Sequence, residues 1–147
     1  MATETMSTNV ELLNYIYQNA EMGKQTIPQL LEATEDGEFR KLLQGQLREY
    51  QEIWESAAAM IREENGEAKG LNAMAKISSY LSTSFNTMID KTSSHMAEMM
   101  IQGSTMGVVE ITQKIKKYGD ADSGVLALAH KLLKTEERNV EELKKYL

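Results

Sequence analysis

Six glutamates fall at helical spacings that could serve a metal pair: Glu21, Glu49, Glu52, Glu110, Glu136 and Glu137. A di-metal centre inside a helical bundle needs hard oxygen ligands from all four helices. It also needs a histidine one turn after a glutamate on two of them. Residues i and i+3 share a helix face, so both side chains can reach one metal pair. In this chain the corresponding pairs read Glu49-x-x-Glu52 and Glu136-x-x-Asn139, without histidine. The two histidines are His95 and His130. His95-x-x-Glu98 reverses the expected order at a helix start, and His130 is not at metal-pair spacing with Glu136.

Lys24 falls at the same level as these carboxylates. An ammonium there would repel a dication, yet it could neutralise Glu136, Glu21 or Glu49. A buried lysine–carboxylate pair adds little net stability, is costly to break, and can set helix register. The residues therefore predict a polar waist of Lys24, Gln46, Ser104 and Glu136, a former metal site closed by an ion pair and carrying no cofactor. The run His95-Met96-Ala97-Glu98-Met99-Met100, followed by Met106, offers soft thioether ligands for copper(I). The same spacings suit core packing, where methionine fills irregular space.

The helices that must position these groups are legible as four apolar seams. They read Val10-Leu13-Tyr17-Ala20-Lys24-Ile27-Leu31 and Phe39-Leu43-Gln46-Tyr50-Ile53-Ala57-Met60. The other two read Ala97-Ile101-Ser104-Val108-Ile111-Ile115-Tyr118 and Val125-Ala129-Leu132-Glu136-Val140-Leu143-Leu147. Steps of three and four keep each set on one face, and each is interrupted near its middle by a polar residue. Thr8 with Glu11 fits a reciprocal capping box, which predicts a first helix from about 8 to 33. Thr34-Glu35-Asp36-Gly37 reads as a turn, and a second helix is expected from about 38 to 65, stopping at Gly66. A third is expected over about 95–118. A fourth, capped by Asp120 or Asp122, would run to the C-terminus.

Between the second and third helices, Ile77, Leu81, Phe85 and Met88/Ile89 recur at the spacing of a shorter amphipathic helix. Tight turns predict two antiparallel hairpins. The nearly thirty residues joining them are long enough for a crossover. Facing positions counted from each turn pair Lys24 with Gln46, Glu21 with Glu49, and Ser104 with Glu136. Gly23, Gly45 and Gly103 fall at one level, with Gly107 a turn away. Each helix-interior glycine costs about 0.5–1 kcal/mol relative to alanine, so the level is expected to hold either close helix contact or room for a ligand. Pro28 lacks the N–H that would bond the Lys24 carbonyl; it would either kink the first helix or begin a second segment.

The chain of 147 residues is a single-domain length, expected to form one bundle over 1–147. A net charge of −6 argues against nucleic acid, which demands a basic face. Lys114, Lys116 and Lys117 suit the C-terminal end of a helix dipole. With no cysteine, thiol catalysis and cysteine-ligated metals are excluded. No leader-like segment and no apolar run of about 18 residues is visible, so a cytoplasmic protein without membrane contact is expected. Tyr80 and Phe85 on the intermediate helix could serve a homo-oligomer or a protein partner.

The whole pattern resembles a small bacterial branch of the ferritin-like superfamily. The resemblance rests on Glu11-Leu12-Leu13-Asn14-Tyr15-Ile16 leading to Glu21-Met22-Gly23, on Glu35-Asp36-Gly37-Glu38-Phe39-Arg40-Lys41-Leu42-Leu43, and on Leu47-Arg48-Glu49-Tyr50. It continues through Met100-Ile101-Gln102-Gly103-Ser104-Thr105-Met106-Gly107 and the ending Leu133 to Leu143. It implies an all-α ferritin-like four-helix bundle, two antiparallel hairpins joined by a long crossover that contains a short helix. The family's metal carboxylates would fall nearest Glu21, Glu49, Glu110 and Glu136. Two functions follow as expectations: a non-enzymatic bundle acting by assembly or partner binding, or an iron or manganese carboxylate protein with a redox or storage role. A small-ligand binder using the glycine-lined waist is a third.

Overall fold

The apolar seams become helices because each offers one continuous stripe to bury. The computed structural model describes residues 2–68 and 90–147. The described residues form α1 (Ala2–Ala33), α2 (Gly37–Glu63), α3 (Ser93–Lys117) and α4 (Ser123–Leu143), with a closing 3-10 turn at Lys144–Tyr146. There is no strand among them, so the described residues are all-helical, with four α-helices. The expected intermediate helix, with Tyr80 and Phe85, lies outside the described residues.

The core is built from the seam positions. Leu13, Ile27, Phe39, Ile53, Ile111 and Leu132 are each at most 1 % exposed. α1 packs most extensively on α2, and α3 on α4. Within the first pair, the Tyr17 ring stacks on Trp54 at 5.0 Å, and Gly23 lies against the Tyr50 ring.

The helix ends differ from the sequence expectation in instructive ways. α1 is continuous from Ala2, so Thr8 and Glu11 lie inside a helix and do not cap one. Pro28 also lies within α1, on an exposed position, and starts no separate segment. α2 ends at Glu63 because Asn65 adopts a left-handed φ of 56°. The Gly66 and Asn65 N–H groups then close back on the Ile61 and Arg62 carbonyls. Gly66 has an ordinary φ, so its value is steric. A Cβ there would stand 2.8 Å from Val10 Cγ2, and the missing atom lets α1 come close.

Side-chain clips tie the helices together beyond their apolar faces. Asp36 caps α2 by accepting from the Glu38 and Phe39 N–H groups, and it also accepts from the Ser93 hydroxyl at the start of α3. Asn9 is buried and uses its whole amide. Its Oδ1 accepts from the Asp122 N–H, and its Nδ2 donates to Asp122 Oδ2 and Glu64 Oε1, all within 3.0 Å. Asp122 is the N-cap of α4 by position, but its side chain makes no capping bond. The carboxylate is engaged by Asn9, which reaches across from α1.

Asn9→Ala removes three bonds at once and leaves the Asp122 N–H without its acceptor. The expected loss is about 2–3 kcal/mol in urea denaturation. A loss under about 0.5 kcal/mol would mean that the clip does not couple the helices.

Candidate functional site

Two tyrosines that look like ordinary seam or core residues carry the polar chemistry of the waist. The Tyr50 hydroxyl on α2 donates to Glu136 Oε2 on α4 at 3.0 Å, and it accepts from Asn139 Nδ2 at 3.3 Å. The Tyr15 hydroxyl on α1 donates to Glu110 Oε2 on α3 at 2.9 Å. Asn19, one turn along α1, supplies a hydrogen bond that eases the burial of the Tyr15 hydroxyl. Each unit is thus an asparagine, a tyrosine and a glutamate in sequence, one spanning α1 and α3, the other α2 and α4.

Electrostatics follow from burial. Glu136 is only 2 % exposed. Removal from water pushes its carboxyl up to about 7, against the opposing effect of hydrogen bonds from Tyr50 and Ser104. Burial likewise raises the Tyr50 hydroxyl far above its usual range, with the Glu136 charge adding to the effect. Tyr15 is raised by burial first and by Glu110 second. Both phenols therefore stay protonated and act as hydrogen-bond donors to the carboxylates.

The waist glycines divide by role. A Cβ on Gly23 would lie 2.5–2.8 Å from the Tyr50 ring, so Gly23 makes the space in which that ring lies. A Cβ on Gly107 would lie 3.3 Å from Glu136 Cδ and 3.4 Å from Asn19 Nδ2, a tight fit around the carboxylate. Gly45 meets only Arg48, at 3.9 Å, and Gly103 meets nothing within 4 Å. The sequence alternatives of close contact and open room are therefore both realised, the first at Gly23 and the second at Gly103.

Gly103 opens onto a cavity of about 100 Å³ between α1 and α3. Met22, Ile27, Met99, Met100 and Met106 form its apolar walls. Asn19, Tyr50, Ser104, Glu110 and Glu136 supply its polar groups. Among the described residues no lysine, arginine or histidine lines it. The methionines flagged by the sequence are thus shared between core and cavity wall.

The predicted waist cluster forms only in part. Ser104 meets Glu136, as the second-hairpin register expects. Gln46 is buried, but neither amide atom has a hydrogen-bond partner among the described residues, so it does not bond Lys24. The Lys24 ammonium lies 3.5 Å from the centre of the Trp54 ring. A half-buried lysine can lay its stem on an indole and keep its charge near water, which costs less than burying it beside Glu136. Ion pairs among the described residues include Arg138 with Glu49, Lys144 with Glu141, and His95 with Glu98.

The four carboxylates assigned through the family resemblance also separate. Glu110 and Glu136 share the cavity, whereas Glu21 and Glu49 do not line it. Glu49 is held by Arg138 at 2.6 Å, and Glu21 lies near Tyr17. Asn139, standing where a ligating histidine would be expected, serves Tyr50. Among the described residues no three His, Asp or Glu side chains gather as a metal would require. No described helix is long and apolar enough to cross a membrane.

Sequence reasoning missed the hydroxyls of Tyr15 and Tyr50 because both read as apolar seam or core positions. The available signal was Tyr15-x-x-x-Asn19, a polar pair one turn apart on an otherwise apolar face. Against models of protein families, curated proteins and solved structures, the chain matches none.

Two measurements test this geometry. Gly23→Ala must displace the Tyr50 ring and is expected to destabilise, whereas Gly103→Ala enters open space and should stabilise by about 0.5–1 kcal/mol. Equal effects in thermal denaturation would contradict the assigned roles. Glu136 titrates near 4.5 when unfolded and about 7 when folded. Between those values the native chain holds a proton that the unfolded chain has released. Native stability therefore falls as pH rises from about 4.5 to 7, then levels, with a total on the order of 3 kcal/mol. Glu136→Gln lacks this fall, so its stability advantage over wild type should grow across that window. A gap independent of pH would show that Glu136 is not buried as described.

Proposed function

We propose that this chain is a non-enzymatic bundle of ferritin-like architecture that binds a small organic ligand at its waist. In this reading its two hairpins are antiparallel. The contacts Asn9 to Glu64, Tyr17 to Trp54 and Gly23 to Tyr50 support that arrangement, since early residues of α1 meet late residues of α2. The Ser93 to Asp36 bond and the Phe39–Tyr146 ring contact would then lie together at the opposite end.

The single observation that carries the ligand reading is Gly103. A glycine inside a helix is a stability cost, and here the omitted side chain would meet nothing. The space adjoins a cavity backed by a buried carboxylate, the combination of apolar walls and few convergent polar groups typical of small-molecule sites. The hydroxyls of Tyr15 and Tyr50 are committed to carboxylates, which supports binding over catalysis by those phenols. Assembly or partner binding through Tyr80 and Phe85 rests on positions outside the described residues.

The test is a thermal-shift screen of small amphiphiles against wild type and Gly103→Leu. A ligand at a hundred times its Kd should raise wild-type stability by about 2.7 kcal/mol. Gly103→Leu, which fills the cavity, should remain folded and lose the shift. No organic hit, together with a stoichiometric bound metal lost on Glu136→Gln, would transfer the site to the iron or manganese reading.

A further inference from the structure

We infer that the waist cavity selects an organic monocation, a protonated amine on a short apolar tail. This rests on the small-ligand reading above and specifies the chemistry of its occupant. The cavity receives carboxylates from two sides, Glu110 on α3 and Glu136 on α4, and among the described residues no cationic side chain lines it. Three described cations stand nearby without entering the lining: Lys24 lies on the Trp54 ring, Arg138 holds Glu49, and the Lys114 ammonium is 5.6 Å from the centre of the Tyr15 ring.

Each carboxylate accepts one tyrosine hydroxyl through its Oε2. A carboxylate offers about four lone-pair sites, so acceptor capacity remains at both groups. Ser104 and Asn19 add further polar atoms on the same lining. An ammonium brings three N–H donors and no acceptor, which matches an acceptor-rich pocket with two negative groups. An anion would be repelled by both. A calcium ion takes about six to eight oxygen ligands, and among the described residues no three His, Asp or Glu side chains gather.

The walls decide the rest of the ligand. Met22, Met99, Met100 and Met106 offer flexible, polarisable thioethers that adapt to an alkyl or aryl group. The cavity of about 100 Å³ is somewhat smaller than the 150 Å³ that holds benzene in an engineered protein. A tail of about four carbons is therefore the natural length.

Calorimetric titration of the full chain at pH 8 with n-butylamine and n-butanol tests this. The two probes share a tail and differ in charge. Wild type is expected to bind the amine at least about tenfold more tightly than the alcohol, because only the amine gains a charge-assisted contact. Glu136→Gln should bring the preference below about threefold while alcohol binding is retained, and Glu110→Gln should reduce it by a smaller factor. Gly103→Leu should bind neither probe. Equal binding of amine and alcohol by wild type would overturn the cation inference and leave the ligand-binding reading standing. A preference that survives both glutamine substitutions would overturn it as well. Failure of wild type to bind either probe would overturn both readings together. Should Glu136→Gln fail to fold, Glu110→Gln alone decides, and an unchanged preference there counts against the inference.

Discussion

A carboxylate buried between helices is unstable unless something donates to it, and the Tyr50 hydroxyl meets that demand at Glu136. Much of the waist is arranged around this one bond. The Tyr50 ring can lie where it does only because Gly23 has no side chain. The carboxylate has its tight space because Gly107 has none. Asn139 donates to the Tyr50 oxygen and so directs the phenolic proton toward Glu136. Three helices are therefore committed to one hydrogen bond, with a fourth, α3, contributing Ser104 and Gly107.

Tyr15 and Glu110 repeat the device on the other helix pairing, with Asn19 in the role of Asn139. The two units face a common cavity, whose remaining surface is largely methionine. Among the described residues no lysine or arginine forms an ion pair with either carboxylate. The interior thus holds negative charge, softened at Glu136 by burial that favours the protonated acid. Such a centre disfavours anions.

Lys24 shows how a plausible pairing fails in three dimensions. By turn-centred register it belongs opposite Gln46, among the waist carboxylates. In the folded chain its ammonium rests on Trp54, which itself stacks on Tyr17. A long, flexible cation takes the nearest aromatic face that leaves it hydrated rather than the charge that would require full burial. Glu49 behaves in the same way, engaging Arg138 toward solvent.

The four helices, their apolar faces, the turn near Asp36 and the existence of a polar level at mid-bundle were determined by the sequence itself. They depend on periodicity, caps and glycine placement, which are local properties of the chain. Ser104 opposite Glu136 was also legible, since a short turn constrains the register of the helices it joins. Which polar groups would pair, which glycine would be filled and which left open, and how Asn9 would clip three helices were decided only by tertiary structure. Those outcomes turn on the direction of individual side chains across helix contacts, within distances that a register accurate to one turn does not resolve.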